Sequence, residues 1–119
     1  MIDSLDQMLR FQSEALKLRS QRQELLAANI ANADTPQYKA VDIDFAQALA
    51  AATSPGGDAS PGTTAPAVLY RVPAQASLDG NTVEMDVERA QFADNTVRYE
   101  AALRVLNAQI KAMLIALQG

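Results

Sequence analysis

The stretch VEMDVERAQFADNTVRYEAALRVLNAQIKAMLIALQ, Val83 to Gln118, decides the fold class. Phe92, Tyr99, Leu103, Leu106, Ile110, Met113 and Leu117 recur at steps of seven, four and three residues, which lines them up along one side of an α-helix. Val105, Leu114 and Ile115 widen the apolar area beyond one stripe, and a helix apolar over more than one stripe needs several neighbours. Acidic Glu84, Asp86 and Glu88 crowd the start and Arg98, Arg104 and Lys111 follow, an order that suits the helix dipole. The turn residues Asp79, Gly80 and Asn81 precede it, with Asn81 a candidate cap three places before Glu84.

A helix of this kind needs a partner, and the other end of the chain supplies one. From near Ser4 to near Ala33 a seam runs Leu5, Leu9, Gln12, Leu16, Arg19, Gln23, Leu26, Ile30, Ala33, in the steps of three and four of a heptad. Ser4 and Gln7 have capping-box spacing, and Asp6 with Arg10 makes a favourable i,i+4 pair. At about 1.5 Å per residue the helix would be roughly 45 Å long. Gln12, Arg19 and Gln23 make its middle polar, so it suits a partner surface that satisfies those groups. Asp34, Thr35 and Pro36 end it, because proline disfavours helical geometry in the residue before it.

Between the helices the periodicity dissolves. Tyr38 to Phe45 reads as an extended connector and Phe45 to Ala52 as a short apolar helix. TSPGGDASPGTTAPA, Thr53 to Ala67, cannot bury enough surface to offset its ordering entropy and is expected to be flexible. VLYRV, Val68 to Val72, is strand-like, with Pro73 limiting its extent. The expected architecture is mainly α: two long terminal helices pair as an antiparallel coiled-coil-like hairpin around a flexible Ser/Pro/Gly-rich middle with a short β element. Residues 1–36 form the first helix and its exit turn, 37–82 the connector and 83–119 the second helix. Leu9 and Met113, similarly near the two termini, are expected to lie across from each other.

Composition narrows the function. A chain of 119 residues is one domain, and although 49% of it is apolar, aromatic residues make up 5% and there is no Trp, so burial falls to thin seams of Leu, Ile, Val and Met. With no His and no Cys, the commonest general base, the thiolate nucleophile and every strong metal ligand except carboxylates are missing. No catalytic, metal or cofactor site is expected. The net charge of −4, with scattered basic residues, argues against nucleic acid. The amino terminus, with Asp3 and Asp6, does not read as a cleavable signal, and no run approaches the roughly 18 apolar residues of a membrane span. Asp42 and Asp44 share a face of an extended chain but have no base or nucleophile near them in sequence, and read as solvated or capping carboxylates. Tyr70 and Arg71 could stack on a ligand but read as ordinary strand residues. For the terminal helices three roles stay open: an internal hairpin core, contacts between subunits, or a membrane-surface helix. The last is disfavoured by polar faces of mixed sign.

LAANIANADTPQYK, Leu26 to Lys39, resembles the amino-terminal signature of the bacterial flagellar rod, hook and hook-filament junction proteins, an Asn-rich helix end running into a Thr-Pro-x-Tyr-Lys turn. AVDIDFAQAL, Ala40 to Leu49, and Asp79 to Met113 resemble the version found in the proximal-rod, or FlgB, family of flagellar basal-body rod proteins. The signature residues are Asn29, Asn32, Thr35, Pro36, Tyr38 and Lys39. Physically, Asn29 and Asn32 can bond backbone or side-chain groups across an interface, and Pro36 fixes the exit direction of the chain. Gln37 stands where the family usually has Gly, so the turn is expected to adopt a geometry open to ordinary residues.

The resemblance implies a non-enzymatic structural subunit of the periplasmic rod, polymerising through its terminal helices into the torque-transmitting shaft. It also implies partners: copies of itself, other rod proteins, the rod-to-ring adaptor FliE, the inner-membrane ring and the flagellar type III export apparatus, through which the family leaves the cytoplasm without a cleaved signal. Alternatives are another rod subunit of the same superfamily or a non-polymerising helical adaptor, which would stay a folded monomer or dimer at any concentration. Loop-closure entropy changes slowly with length, so motility and export are expected largely to survive deletion of Gly56 to Thr63. Lost assembly with export preserved would show that the segment makes a required contact.

Overall fold

The computed structural model describes residues 2–53 and 68–119. Helix α1, Ile2–Ala31, and helix α3, Met85–Gln118, frame an elongated molecule of 64 × 29 × 19 Å. Strand β1, Val41–Ile43, helix α2, Phe45–Thr53, and strand β2, Val68–Tyr70, lie between them in sequence. The stretch expected to be flexible, Thr53 to Ala67, lies outside the described residues except for Thr53, which ends α2.

The long helices run antiparallel. Met8 meets Gln109, Arg19 meets Asn95, Gln23 meets Asn95 and Thr96, and Asn29 meets Glu88, so positions rise along one helix as they fall along the other. This register sets Gln109 beside Met8 and shifts Met113 about one turn from the level of Leu9 expected above, toward Leu5. The seam of α3 that faces α1 is also not the most apolar one. Its inward positions are Glu88, Phe92, Asn95, Tyr99, Ala102, Leu106, Gln109 and Met113, again in steps of four and three, and all are buried or half-buried. Leu103, Ile110 and Leu117 flank it at 39%, 41% and 82% exposure. The reason lies in α1: its polar Arg19 and Gln23 occupy the middle of the interface and take up polar Asn95 and Thr96.

β1 and β2 form a two-stranded antiparallel sheet, Val41 opposite Tyr70, Asp42 opposite Leu69 and Ile43 opposite Val68. α2 starts on Asp44, whose carboxylate accepts from the Gln47 amide, and packs along α1, where the Arg19 guanidinium lies 3.8 Å from the Phe45 ring centre. The buried apolar core is small: Ala15, Leu18, Leu26, Ala40 and Ile43. Among the described residues four polar side chains, Asn29, Asn81, Glu88 and Asn95, are buried as deeply. Polar bonding therefore carries an unusual share of the tertiary structure, and each of these groups must be satisfied for the fold to stand.

Both helix starts differ from expectation. α1 begins at Ile2, so Ser4 lies inside it, and α3 begins at Met85 with Glu84 at the N-cap position and no side-chain cap. Asn81 serves the other helix instead. Its Nδ2 donates to the carbonyl oxygens of Asn32, Ala33 and Thr35, in the turn that follows α1, while its Oδ1 accepts from the Val83 amide.

Gln37 corrects the expectation of an ordinary turn geometry. It is the one non-glycine residue at positive φ among the described residues, at φ 63°, and its amide donates to the Asp79 carbonyl at 2.8 Å. That bond and the Tyr38–Thr82 backbone bond hold the turn in the left-handed region even without Gly. Left-handed geometry strains a residue with a Cβ, so Gln37→Gly is expected to stabilise the chain by about 1 kcal/mol, read as a higher urea midpoint. A lower midpoint would mean that the Gln37 side chain itself stabilises the turn.

Candidate functional site

Where α1 ends, the signature residues and the strand pair meet both long helices in one polar clasp. Asn29, fully buried on α1, donates through Nδ2 to the Val41 carbonyl at 2.7 Å and to the Glu88 carboxylate at 3.0 Å. Its Oδ1 accepts from the Val41 amide at 3.1 Å and the Tyr38 hydroxyl at 3.3 Å. One amide thus joins α1, β1, α3 and the exit turn. Leucine at this position could fill the space but could make none of these bonds.

Around Asn29 four charges close a neutral set. Arg22 of α1 donates to both oxygens of Asp42, at 2.9 and 3.1 Å, and to Gln91 of α3 at 2.8 Å. Arg71, just past β2, bridges Asp42 at 2.6 Å and Glu88. Glu88 is completely buried, and Arg22, Asp42 and Arg71 keep side-chain exposures of 14%, 18% and 17%. Two guanidiniums thus offset two carboxylates in a site of low effective dielectric, where a missing member leaves its partner uncompensated.

Burial pushes the Asp42 carboxyl upward, but the hydrogen bond from Arg22, the Ile43 amide, the charge of Arg22 and the hydrogen bond from Arg71 outweigh it and hold the group below the usual carboxylate range. A depressed folded pKa contributes stability that is present above the unfolded value, about 3.9, and is lost as pH falls through the folded value. The stability gap between the parent chain and Asp42→Asn should therefore be constant from neutral pH to about pH 5 and shrink below about pH 4. Urea midpoints over that range read it, and a gap that widened toward acid would contradict the ion-pair account.

The rest of the signature works beside the clasp. Asn32 Nδ2 donates to the Ala28 carbonyl and its Oδ1 accepts from Thr35 Oγ1, closing the end of α1. Lys39 Nζ donates to the Gly80 carbonyl at 2.6 Å, the Ala40 amide donates to Thr82 Oγ1, and Pro36 is exposed at the corner. Asp44 caps α2, Asp42 is locked in ion pairs, and Tyr70 is 73% exposed on β2. Among the described residues no group of three or more metal-ligating side chains occurs, and no helix is long and apolar enough to cross a membrane.

The residues proposed for helix packing and assembly divide into two sets. Leu26 is fully buried, and Leu5, Leu9, Leu16, Ile30, Phe92, Tyr99, Leu106 and Met113 are half-buried. Leu103, Ile110 and Leu117 lie outward, together with Val97, Val105, Leu114 and Ile115 at 67%, 46%, 53% and 62% exposure. The second half of α3 thus presents an apolar face that none of the described residues covers. Sequence reasoning missed Arg22, Glu88, Asn81 and Asn95. Extending the steps of Phe92 and Tyr99 through Glu88 and Asn95 would have shown two polar residues on the inner face.

The family model described as flagella basal body rod protein matches residues 9–39, the span from the first helix through the signature turn. The flagellar basal body rod protein FlgB of Salmonella typhimurium is 54% identical over 100% of this chain and 99% of its own length. That of Escherichia coli K12 is 52% identical over the same shares. FlgB of Cereibacter sphaeroides is 46% identical over 90% of this chain and 91% of its own. The Salmonella alignment runs over 136 positions against the 119 residues here, so that relative carries additional internal residues.

Proposed function

The chain belongs to the FlgB family of flagellar basal body rod proteins, and we propose that it joins its neighbours in the rod through the outward apolar face of α3. It is a structural subunit of that rod. The observation that carries the reading is the stripe of Leu103, Ile110, Leu114 and Leu117, at steps of seven, four and three, left exposed on a helix whose inner face is already occupied. A contiguous apolar stripe of this length marks a contact surface. The neighbours in this reading are copies of itself, other rod proteins, the adaptor FliE and the inner-membrane ring, in the periplasmic part of the basal body. The chain reaches that place through the flagellar type III export apparatus.

The role has no catalytic step. Supporting that, Arg71 ties Asp42 and Glu88 into one set of ion pairs, which gives both carboxylates a structural part in the clasp. The clasp holds the exit turn and strand pair to the helices, so that load on one long helix passes into the other.

Deleting the gene is expected to give non-swimming cells whose basal bodies lack a complete rod, with both defects repaired by the intact copy. Swimming cells with complete rods in its absence would overturn the reading.

A further inference from the structure

The middle of the α1–α3 interface holds a second polar layer, separate from the clasp. Asn95 is fully buried, and all of its amide is in use. Nδ2 donates to the Arg19 carbonyl at 2.9 Å and to Gln23 Oε1 at 2.7 Å, and Oδ1 accepts from the Arg19 guanidinium at 3.4 Å. Gln23 Nε2 completes the layer by donating to Thr96 Oγ1 at 2.7 Å. Along α3 this layer stands seven residues from Glu88, one heptad of the inner seam.

Heptad seams are degenerate: sliding one helix past the other by seven residues again sets inner positions against inner positions. Half of the inner seam of α3 is of that kind: Phe92, Tyr99, Leu106 and Met113 stand one heptad apart, and a slide exchanges one apolar side chain for the next. The polar groups distinguish the registers: the Asn95 layer in the middle of the interface, and at one end the Asn29–Glu88 and Arg22–Gln91 bonds of the clasp. From the observed pairings, a one-heptad slide in one direction carries Asn95 to the level of buried Ala15. A slide in the other direction carries Arg19 and Gln23 to the level of Ala102 and Leu103 and moves Glu88 beyond the end of α1. Either slide buries polar groups without partners, which costs far more than the neutral exchange of apolar ones.

We propose that the Asn95 layer, with Arg19, Gln23 and Thr96, is a register lock that fixes the axial position of α3 against α1. Its contribution is to specificity rather than to stability, the use best attested for a single buried Asn in paired helices. In a shaft subunit the lock keeps subunit length constant, because one heptad of slip is about 10 Å at about 1.5 Å per residue.

The test uses the full chain, which has no native cysteine. The pair Met8→Cys with Gln109→Cys reports the observed register. Met8→Cys with Ala102→Cys, or with Ala116→Cys, reports a one-heptad slide either way. In the observed register neither of the latter pairs can close, because a heptad exceeds the Cα separation of about 7 Å that a disulfide tolerates. Replacing the layer by apolar residues, Arg19→Met with Gln23→Leu and Asn95→Leu, should keep helix content and thermal midpoint. It should also raise the ratio of slipped to native crosslink by about tenfold or more. Asn95→Ala alone, which leaves Arg19 and Gln23 able to reach solvent, should raise the same ratio if the triple variant loses its helicity. Crosslinking confined to the Met8–Gln109 pair in both variants, at parent yield, would overturn the proposal.

Discussion

Arg71→Ala is expected to destabilise the folded chain by about 3–5 kcal/mol, the usual cost of breaking a buried ion pair by removing one partner. Glu88 has no exposed surface, and with Arg71 gone its carboxylate keeps, among the described residues, only the hydrogen bond from Asn29. Asp42 would lose one of its two guanidiniums at the same time. The loss should come from the stranded charge rather than from missing packing. Adding Glu88→Gln to Arg71→Ala should therefore recover part of it, because a neutral amide in that position is far cheaper to bury. Urea unfolding of the parent, the two single variants and the double variant measures the coupling. An Arg71→Ala chain within about 0.5 kcal/mol of the parent would mean that the clasp is a solvated surface cluster.

The second large effect separates the two faces of α3. Ile110→Asp sets a charge on the outward face, where 41% exposure lets the isolated chain keep it in water. The free protein should retain its helix content while rod assembly and swimming are lost, because the same carboxylate is buried wherever a neighbour covers that face. Leu106 instead faces α1 and is half-buried. Leu106→Ala should cost the lower part of about 2–5 kcal/mol, and Leu106→Asp should damage the isolated fold as well as the rod. Asp58→Ala, away from both seams in sequence, should swim normally. Complementation with export assayed separately distinguishes an assembly defect from a secretion defect. Normal swimming with Ile110→Asp would show that this face has no neighbour.

Much of the architecture was legible because it rests on periodicity. Phe92, Tyr99, Leu106 and Met113 announce α3, Leu5 through Ile30 announce α1, and the connector between them forces the two to return antiparallel. What periodicity could not show is which apolar set turns inward. Leu103, Ile110 and Leu117 are greasier than Asn95, Ala102 and Gln109, so a rule that buries the most apolar stripe chooses the first set. That rule assumes that everything apolar is buried within one chain. Here Arg19 and Gln23 on α1 select Asn95 as their partner, and the apolar remainder faces out.

The clasp was only half legible for a related reason. Asn29 and Tyr38 stood out as signature residues, but Arg22, Arg71 and Glu88 look like ordinary surface charges in sequence. Their pairing depends on contacts 17 to 29 residues apart that no local pattern encodes. Asn81 misled in the same way, since an Asn before a helix reads as the cap of the helix it precedes, whereas its amide closes the helix that ended before Asp34. Gln37 shows that a left-handed turn survives without Gly when backbone bonds to Asp79 and Thr82 hold it on both sides.

The most direct test of the central claim is chemical access to the outward face of α3 in the assembled organelle. Leu117, 82% exposed in the isolated chain, would be replaced by Cys and treated with a membrane-impermeant maleimide, once as free protein and once in purified basal bodies. If α3 joins neighbouring subunits in the rod, the free protein should label rapidly and the basal bodies at least about tenfold more slowly, because a packed interface excludes the reagent. Equal labelling of the two samples, with the variant present in the basal bodies, would contradict the account.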